Sequence, residues 1–400
     1  MPWRRPRKKV DRPVNVSRAI EETLEELSAD EDEDDSVELA GVDGASIVEA
    51  ATGEADTGGR MPSPLAEQLS RVELSDTAVI TPVRSAERTE HGVDLAVDAA
   101  RSLRLKNPVL TASGTFGQGV EYAELIDVSR LGAIVNKGTT VLARPGNAQY
   151  RIAETPSGIL NSIGLENPGA AGVAKKYAKA WAQLGVPVIV NVAGYSVDDY
   201  VRVVSEFAGI ASVVAYELNI SCPNVKGGML FGCDPGLAAD VTRAVKQETD
   251  LPVIVKLTPN APDVVAVARA VEEAGADGLT AINTVLGMRI DTTKRRPVLG
   301  TGSGGLSGPA IRPIAVHITY QVAQAVSIPI IGAGGVTNAE DALEFLMAGA
   351  SAVQVGTATF ADPLAPLKVI EGLAAYVKIH GLSSIRDVIG VALPTSQQAE

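Results

Sequence analysis

Eight short apolar runs, separated by longer amphipathic stretches, constrain the fold of this 400-residue chain more than any other feature of its sequence. Most of the runs are rich in Val, Ile and Ala, which is typical of parallel strands covered on both faces. They occupy residues 108–113, 133–138, 187–194, 213–221, 252–258, 278–284, 329–335 and 352–357. Eight such strands alternating with helices predict an α/β fold of the (β/α)₈ TIM-barrel type, and a doubly wound open sheet is the alternative.

Helical periodicity occupies several of the stretches between the apolar runs. The pattern predicts helices over residues 234–249, 261–274, 308–326 and 338–348. Asn338 is suited to the N-cap of the last of these helices, and Gly349 is suited to the position after its C-cap. Residues 91–400 are therefore predicted to form one barrel domain.

Residues 1–90 differ in composition and are predicted to form a separate acidic extension. Residues 1–92 hold 21 acidic and 11 basic side chains, so most of the net charge of −13 lies there. Apart from a short helix expected over residues 17–27, the segment has little apolar periodicity and is predicted to be disordered. A solvated extension is favoured over a regulatory or docking segment, and no nucleic-acid partner is expected.

Cysteine content and hydropathy indicate a soluble cytoplasmic protein. Two cysteines, Cys222 and Cys233, are too few for a disulfide framework or for a four-cysteine iron–sulfur cluster. The basic start lacks the apolar core of a signal peptide, and no uncharged apolar run reaches the roughly 18 residues of a membrane span. The three histidines are not paired at ligand spacing, so no metal site is predicted.

Amide and lysine side chains recur at the ends of the apolar runs, where a barrel collects its functional residues. They are Asn136, Lys137, Asn191, Asn219, Lys256 and Asn283. Asn side chains both donate and accept hydrogen bonds, which suits a heterocyclic ligand with amide and carbonyl edges. A lysine on a barrel strand, such as Lys256, is compatible either with a Schiff base or with stabilising negative charge on a bound ring.

The last two runs end in glycines, at residues 332–335 (GAGG) and at Gly356, and each group leads toward a helix. Backbone N–H groups at helix N-termini bind phosphate, and the loops after strands seven and eight are the usual place for it in a barrel. Residues 300–305 match a dinucleotide-binding glycine pattern, but they follow a basic turn and no strand precedes them. We interpret them as a mobile glycine loop.

A series of segments resembles dihydroorotate dehydrogenase, in the same order along the chain. They are residues 112–117 (ASGTFG), 136–140 (NKGTT), 160–165 (LNSIGL), 219–224 (NISCPN), 255–260 (VKLTPN), 305–310 (GLSGPA) and 332–335. The resemblance runs from about Val93 to the C-terminus. It implies oxidation of (S)-dihydroorotate to orotate in pyrimidine biosynthesis, with one FMN per chain.

The resemblance also implies roles for individual residues. Cys222 falls on the position of the catalytic base, on a loop that Gly227 and Gly228 are expected to let open and close, whereas Cys233 is expected to be incidental. Substrate contacts are implied for Lys137, Asn161, Ser162, Ile163, Gly164, Leu165, Asn219, Asn224, Asn283 and Thr284. Cofactor contacts are implied for Ser113, Lys137, Gly138, Asn191, Asn219, Lys256, Ile282 and Gly308, with Gly334, Gly335, Gly356 and Thr357 at the phosphate.

Residues 217–228 and 283–288 are most similar to the NAD-linked, two-subunit class 1B of this family. That class implies a partner subunit with FAD and a [2Fe-2S] cluster, which passes electrons to NAD⁺, and a heterotetramer built around a homodimer of barrels. The first alternative is the fumarate-linked homodimeric class 1A, followed by a barrel of the dihydropyrimidine dehydrogenase type. Two further alternatives are a Schiff-base aldolase that uses Lys256 and a non-catalytic binding barrel.

Overall fold

The computed structural model describes residues 92–221 and 231–394, which belong to one compact unit. Three predictions lie outside the described residues: the acidic extension over residues 1–90, the helix expected over residues 17–27, and the loop with Cys222, Asn224, Gly227 and Gly228. No helix of the described part is long and apolar enough to span a bilayer.

The described residues contain strands and helices in alternation over most of their length. The strands are β1 (Val97–Ala100), β2 (Leu103–Leu105), β3 (Val109–Thr111), β4 (Ile134–Val135), β5 (Ile152–Thr155), β6 (Gly158–Asn161), β7 (Val188–Val192), β8 (Val213–Asn219), β9 (Val253–Leu257), β10 (Gly278–Ala281), β11 (Val285–Gly287), β12 (Ile290–Asp291), β13 (Arg296–Pro297), β14 (Gly304–Ser307), β15 (Ile330–Ala333) and β16 (Ala352–Val355). The α-helices are α1 (Ala170–Trp181), α2 (Val197–Glu206), α3 (Pro235–Glu248), α4 (Val264–Glu273), α5 (Arg312–Ala323), α6 (Ala339–Met347), α7 (Ala358–Ala361) and α8 (Ala365–Ile379).

Eight parallel strands form a barrel, in the order β3, β16, β15, β10, β9, β8, β7 and β4. A parallel bridge between Leu110 and Ala133 joins the first strand of this order to the last. The predicted TIM barrel is therefore confirmed, and the doubly wound open sheet is wrong. Each of the eight apolar runs contains one barrel strand, and β7 and β9 are buried at every residue because helices cover the barrel outside.

The four predicted helices are present, and side-chain caps fix where several of them begin. Asp234 accepts a hydrogen bond from the Leu237 N–H at the start of α3, and Asn338 accepts one from the Asp341 N–H at the start of α6. Gly349 follows α6 with a φ of 106°, which glycine adopts without a steric penalty. Both sequence predictions for the ends of α6 are confirmed.

A second, four-stranded antiparallel sheet is a feature that the sequence patterns did not predict. Its order is β11, β14, β6 and β5, and we term it the outer sheet. It packs around a small cluster of its own, Ala153, Leu160 and Leu299. Gly304 and Gly305 belong to β14, so the loop predicted over residues 300–305 is wrong for its last two residues. A side chain at Gly304 would collide with the Asn161 carbonyl, which explains the glycine.

Candidate active site

A cavity of about 500 Å³ lies at the carboxyl ends of the barrel strands. The barrel lines it with strand ends and the loops that follow them, and the outer sheet contributes Ile152, Ile159, Asn161 and Ser307. We term it the strand-end cavity. Its volume falls within the usual range for small-molecule and cofactor sites, so it can hold a ligand with more than one ring.

Every predicted site residue that the structure describes lines this cavity. These residues are Ser113, Lys137, Gly138, Asn161, Ser162, Ile163, Gly164, Leu165, Asn191, Asn219, Lys256, Ile282, Asn283, Thr284, Gly308, Gly334, Gly335, Gly356 and Thr357. Cys222 and Asn224 lie outside the described residues. The structure thus brings together residues up to 244 positions apart in sequence, while the role of each stays a prediction.

A buried carboxylate, Glu217 on β8, organises the polar groups at the base of the cavity. Its Oε1 accepts hydrogen bonds from Asn191 Nδ2 at 2.7 Å and from Lys256 Nζ at 3.4 Å. Its Oε2 accepts from Thr280 Oγ1 at 2.8 Å and from Gln354 Nε2 at 2.5 Å. We term these five residues the Glu217 network. Because burial leaves the carboxylate 0% exposed, these four donors replace the water that it would otherwise need.

Asn191 presents an unsatisfied hydrogen-bond acceptor in the cavity wall. Its Nδ2 is taken by Glu217, and its Oδ1 is buried without a hydrogen-bond partner. A Cβ on Gly138 would lie 3.0 Å from this oxygen, so a side chain there would crowd it. Leaving a buried acceptor unpaired costs about 1–3 kcal/mol, which an N–H donor on a bound ligand would recover. The wall therefore fits a heterocycle that carries an N–H group.

Closely packed glycines form the side of the cavity next to α5. Gly334 and Gly335 have φ values of 132° and 81°, and a Cβ on Gly335 would lie 2.8 Å from both the Gly308 carbonyl oxygen and Arg312 Cβ. Thr357 Oγ1 donates to Ser307 Oγ at 2.8 Å beside them. Backbone N–H groups that a ligand can approach this closely suit a phosphate.

A cation and several amides line a further part of the cavity, at the ends of β4, β8 and β10. Burial lowers the pKa of Lys137 below its ordinary value, and the nearby Glu166 carboxylate opposes that shift. Asn283 Nδ2 donates to Asn219 Oδ1 at 3.2 Å and to Ser221 Oγ at 2.9 Å. An anionic ligand beside Lys137 would favour its charged form, so this side suits a small anion with amide groups.

Five polar residues of the site were missed by the sequence predictions: Thr115, Glu217, Thr280, Ser307 and Gln354. Glu217 and Gln354 share one signal, since each is a strongly polar side chain at a buried position of a largely apolar barrel strand. A polar group in such a strand requires buried partners, and the partners here converge on the cavity. Ser307 has no comparable signal in the sequence, because it belongs to β14 of the outer sheet, and that sheet was not predicted.

Comparison with known proteins agrees with this geometry. The sequence model of the family described as dihydroorotate dehydrogenase matches residues 96–377. A Desulforamulus reducens protein named dihydroorotate dehydrogenase B (NAD(+)), catalytic subunit, is 52% identical over 301 residues, covering 75% of this chain and 99% of that protein. Proteins of the same name from Bacillus pumilus (54% identical, 72% of this chain and 93% of that protein) and Parabacteroides distasonis (51%, 72% and 95%) are similarly close.

Proposed function

The chain belongs to the dihydroorotate dehydrogenase family, a family of oxidoreductases, and we propose that it oxidises (S)-dihydroorotate to orotate with one FMN held in the strand-end cavity. The observation that carries the proposal is that every described residue for which the resemblance implies a substrate or cofactor contact lines one cavity. The aldolase and binding-barrel alternatives have no comparable support. The shared name of the close relatives favours the NAD-linked class over the fumarate-linked class.

The residues of the cavity fit both the ring system and the phosphate of FMN. Asn191 Oδ1 would accept a hydrogen bond from a ring N–H, and Lys256 Nζ would lie against a ring edge that gains negative charge on reduction. Gly334, Gly335, Gly356 and Thr357 would hold the phosphate through backbone N–H groups. When bound, FMN supplies the acceptor for the hydride that leaves the substrate.

The part of the cavity around Lys137, Asn219 and Asn283 fits dihydroorotate. Lys137 would pair with the substrate carboxylate, and the desolvation that lowers the pKa of Lys137 strengthens that pairing by excluding water. Asn283 and Asn219 are already oriented by their mutual hydrogen bond, so their amides would meet the pyrimidine without reorganisation. Asn161 would contact the substrate from the outer sheet, where its Nδ2 donates a hydrogen bond to the Gly305 carbonyl at 3.2 Å.

We propose Cys222 as the base that removes the substrate proton. The residue before it, Ser221, accepts a hydrogen bond from Asn283, which lines the cavity. Cys222 follows Ser221 directly in the sequence, and this neighbourhood supports the proposal that its thiol acts on a ligand bound in the cavity. The base must be a thiolate, so proton removal is expected to become faster as pH rises toward the usual thiol pKa of about 8.5.

The proposed activity can be tested by absorption spectroscopy. The purified chain, reconstituted with FMN where necessary, is expected to show the bands of an oxidised flavin. Anaerobic addition of dihydroorotate should bleach those bands, and addition of lactate at the same concentration should not. A protein that cannot be reconstituted with FMN, or whose flavin stays oxidised, would contradict the proposal.

We further infer that a separate partner subunit accepts the electrons, since the close relatives are named catalytic subunits. The proposed partner carries FAD and a [2Fe-2S] cluster, and the proposed cytoplasmic complex is a heterotetramer around a homodimer of barrels. The two cysteines of the whole chain are too few to bind such a cluster here.

The partner inference predicts a difference between electron acceptors. Dihydroorotate should reduce NAD⁺ rapidly only when the partner subunit is present, whereas a small dye should be reduced by the chain alone. Absorbance at the NADH band and size-exclusion chromatography would measure both parts of the inference. Rapid NAD⁺ reduction by the isolated chain, or rapid fumarate reduction in its place, would contradict it.

A further inference from the structure

Glu217 has no substrate or cofactor role among those assigned above, yet it contacts two of the residues that do, Asn191 and Lys256. It is fully buried, and its two oxygens accept hydrogen bonds from four residues on four other barrel strands. An ionised carboxylate has about four acceptor sites and no donor. All four are filled by protein donors, so Glu217 is organised to act on its neighbours and not on a ligand directly.

The first consequence concerns Asn191. A carboxylate that only accepts hydrogen bonds requires the amide nitrogen of Asn191 to face it, at 2.7 Å. The amide oxygen must then point the other way, where it is buried and lacks a partner. The backbone N–H of Asn191 is also held, by Asn136 Oδ1 at 2.8 Å. Glu217 therefore determines that this part of the wall presents an acceptor.

The second consequence concerns Lys256. Its Nζ donates to Glu217 Oε1 at 3.4 Å and to Gln354 Oε1 at 2.9 Å, and its side chain is 7% exposed. The positive charge is thus balanced by one buried negative charge a short distance away. In a buried site, a charge acts on a neighbouring ligand far more strongly than it would in solution. The balance between the charges of Lys256 and Glu217 therefore affects a ligand bound beside them.

We propose that Glu217 is a positioning residue that fixes the Asn191 amide as an acceptor and, by balancing the charge of Lys256, sets the reduction potential of the bound FMN. The inference rests on the proposed function, because it requires FMN in the strand-end cavity. The reduced flavin carries more negative charge than the oxidised one. Removing the Glu217 charge would leave Lys256 unbalanced and favour the reduced form.

The test compares FMN midpoint potentials and affinities for oxidised FMN among variants with matched shape. In Glu217→Gln, the ratio of the affinity for reduced FMN to the affinity for oxidised FMN should be at least tenfold higher than in wild type. For a two-electron couple that ratio corresponds to a rise of about 30 mV. Lys256→Gln should shift the ratio in the opposite direction, and the double variant should return near the wild-type value because the pair is again neutral.

Thr280→Val serves as the control for a merely structural role. It removes one hydrogen bond to Glu217 Oε2 and keeps the Glu217 charge. The midpoint potential of this variant should stay near that of wild type, even if its stability falls. Loss of stability in both Glu217→Gln and Thr280→Val, with unchanged potentials, would show that the network only supports the barrel and would overturn the inference.

Two further outcomes keep the result decisive. If Glu217→Gln does not fold, the effect of removing the Glu217 charge is measured by comparing the double variant with Lys256→Gln. Equal midpoint potentials for these two proteins would overturn the inference. A wild-type chain that binds FMN, with Glu217→Gln at the wild-type potential, would overturn the role of Glu217 alone. A wild-type chain that binds no FMN would overturn the proposed function as well.

Discussion

Replacement of Cys222 by alanine is expected to slow the reduction of bound flavin by dihydroorotate by about 10²–10⁴-fold, the usual contribution of a positioned base. FMN binding should be unchanged, since no FMN contact is implied for Cys222 itself. Anaerobic stopped-flow absorbance measures the rate directly. In wild type the rate should rise with pH as the thiolate forms, whereas in the variant it should not follow a thiol pKa.

Cys233→Ala provides the matched control. Cys233 lies in a short 3₁₀ turn, Phe231–Cys233, and its thiol is 3.7 Å from the Asn260 carbonyl oxygen. Burial raises the pKa of the Cys233 thiol, which makes it a poor source of thiolate. Its replacement should leave the rate of flavin reduction near the wild-type value. Equal rates in wild type and Cys222→Ala would refute the assignment of the base.

Replacement of Gly335 by alanine is expected to weaken FMN binding on the order of 100-fold. The new Cβ would lie 2.8 Å from the Gly308 carbonyl oxygen, at a φ of 81°. The left-handed backbone costs about 1–2 kcal/mol and the overpacking about 1–3 kcal/mol. Helix α5 cannot easily move away, because Arg312 forms ion pairs with Asp341 and Glu344. The loop must shift, and the proposed phosphate site shifts with it.

Gly209→Ala separates the effect of the backbone from that of the collision. Gly209 has a similar φ of 78°, but no atom lies within 4 Å of the position of its Cβ. The variant should lose about 1–2 kcal/mol of stability and keep its FMN affinity. Fluorescence titration of FMN and thermal unfolding measure the two quantities. Unchanged FMN affinity in Gly335→Ala would show that the glycine side of the cavity does not hold the phosphate.

The barrel could be predicted because its strands are buried on both faces, which leaves continuous apolar runs in the sequence. The outer sheet could not be predicted from the sequence, since β6 and β14 have four residues each and β14 begins with two glycines. Their pairing depends on backbone hydrogen bonds and on close approach at Gly304, and neither produces a hydrophobic period. A sheet of this kind becomes visible only when distant segments are brought together.

The amides, lysines and glycines around the cavity could be predicted from position alone, since the carboxyl ends of barrel strands meet on one face. The contacts of residues 161–165 and Gly308 were implied only by the family resemblance. The interactions among the residues around the cavity could not be predicted. Glu217 lies within a run of otherwise apolar or amide residues, and nothing in that run indicates that its partners are Asn191, Lys256, Thr280 and Gln354. Those partners are set by the stagger of neighbouring strands, such as the register of Asn191 with Glu217.

The outer sheet also has a consequence for the order in which the molecule assembles. The hydrogen bond from Asn161 to Gly305 joins positions 144 residues apart, and β7, β8, β9 and β10 lie between them in the chain. A pairing with so long an intervening loop is slow to form and gains its stability after the barrel strands are in place. With only a three-residue cluster of its own, it can also open at a lower free energy than the barrel. We therefore expect the outer sheet to form after the barrel and to open before it, so that a partly unfolded chain would keep the barrel and lose one wall of the strand-end cavity.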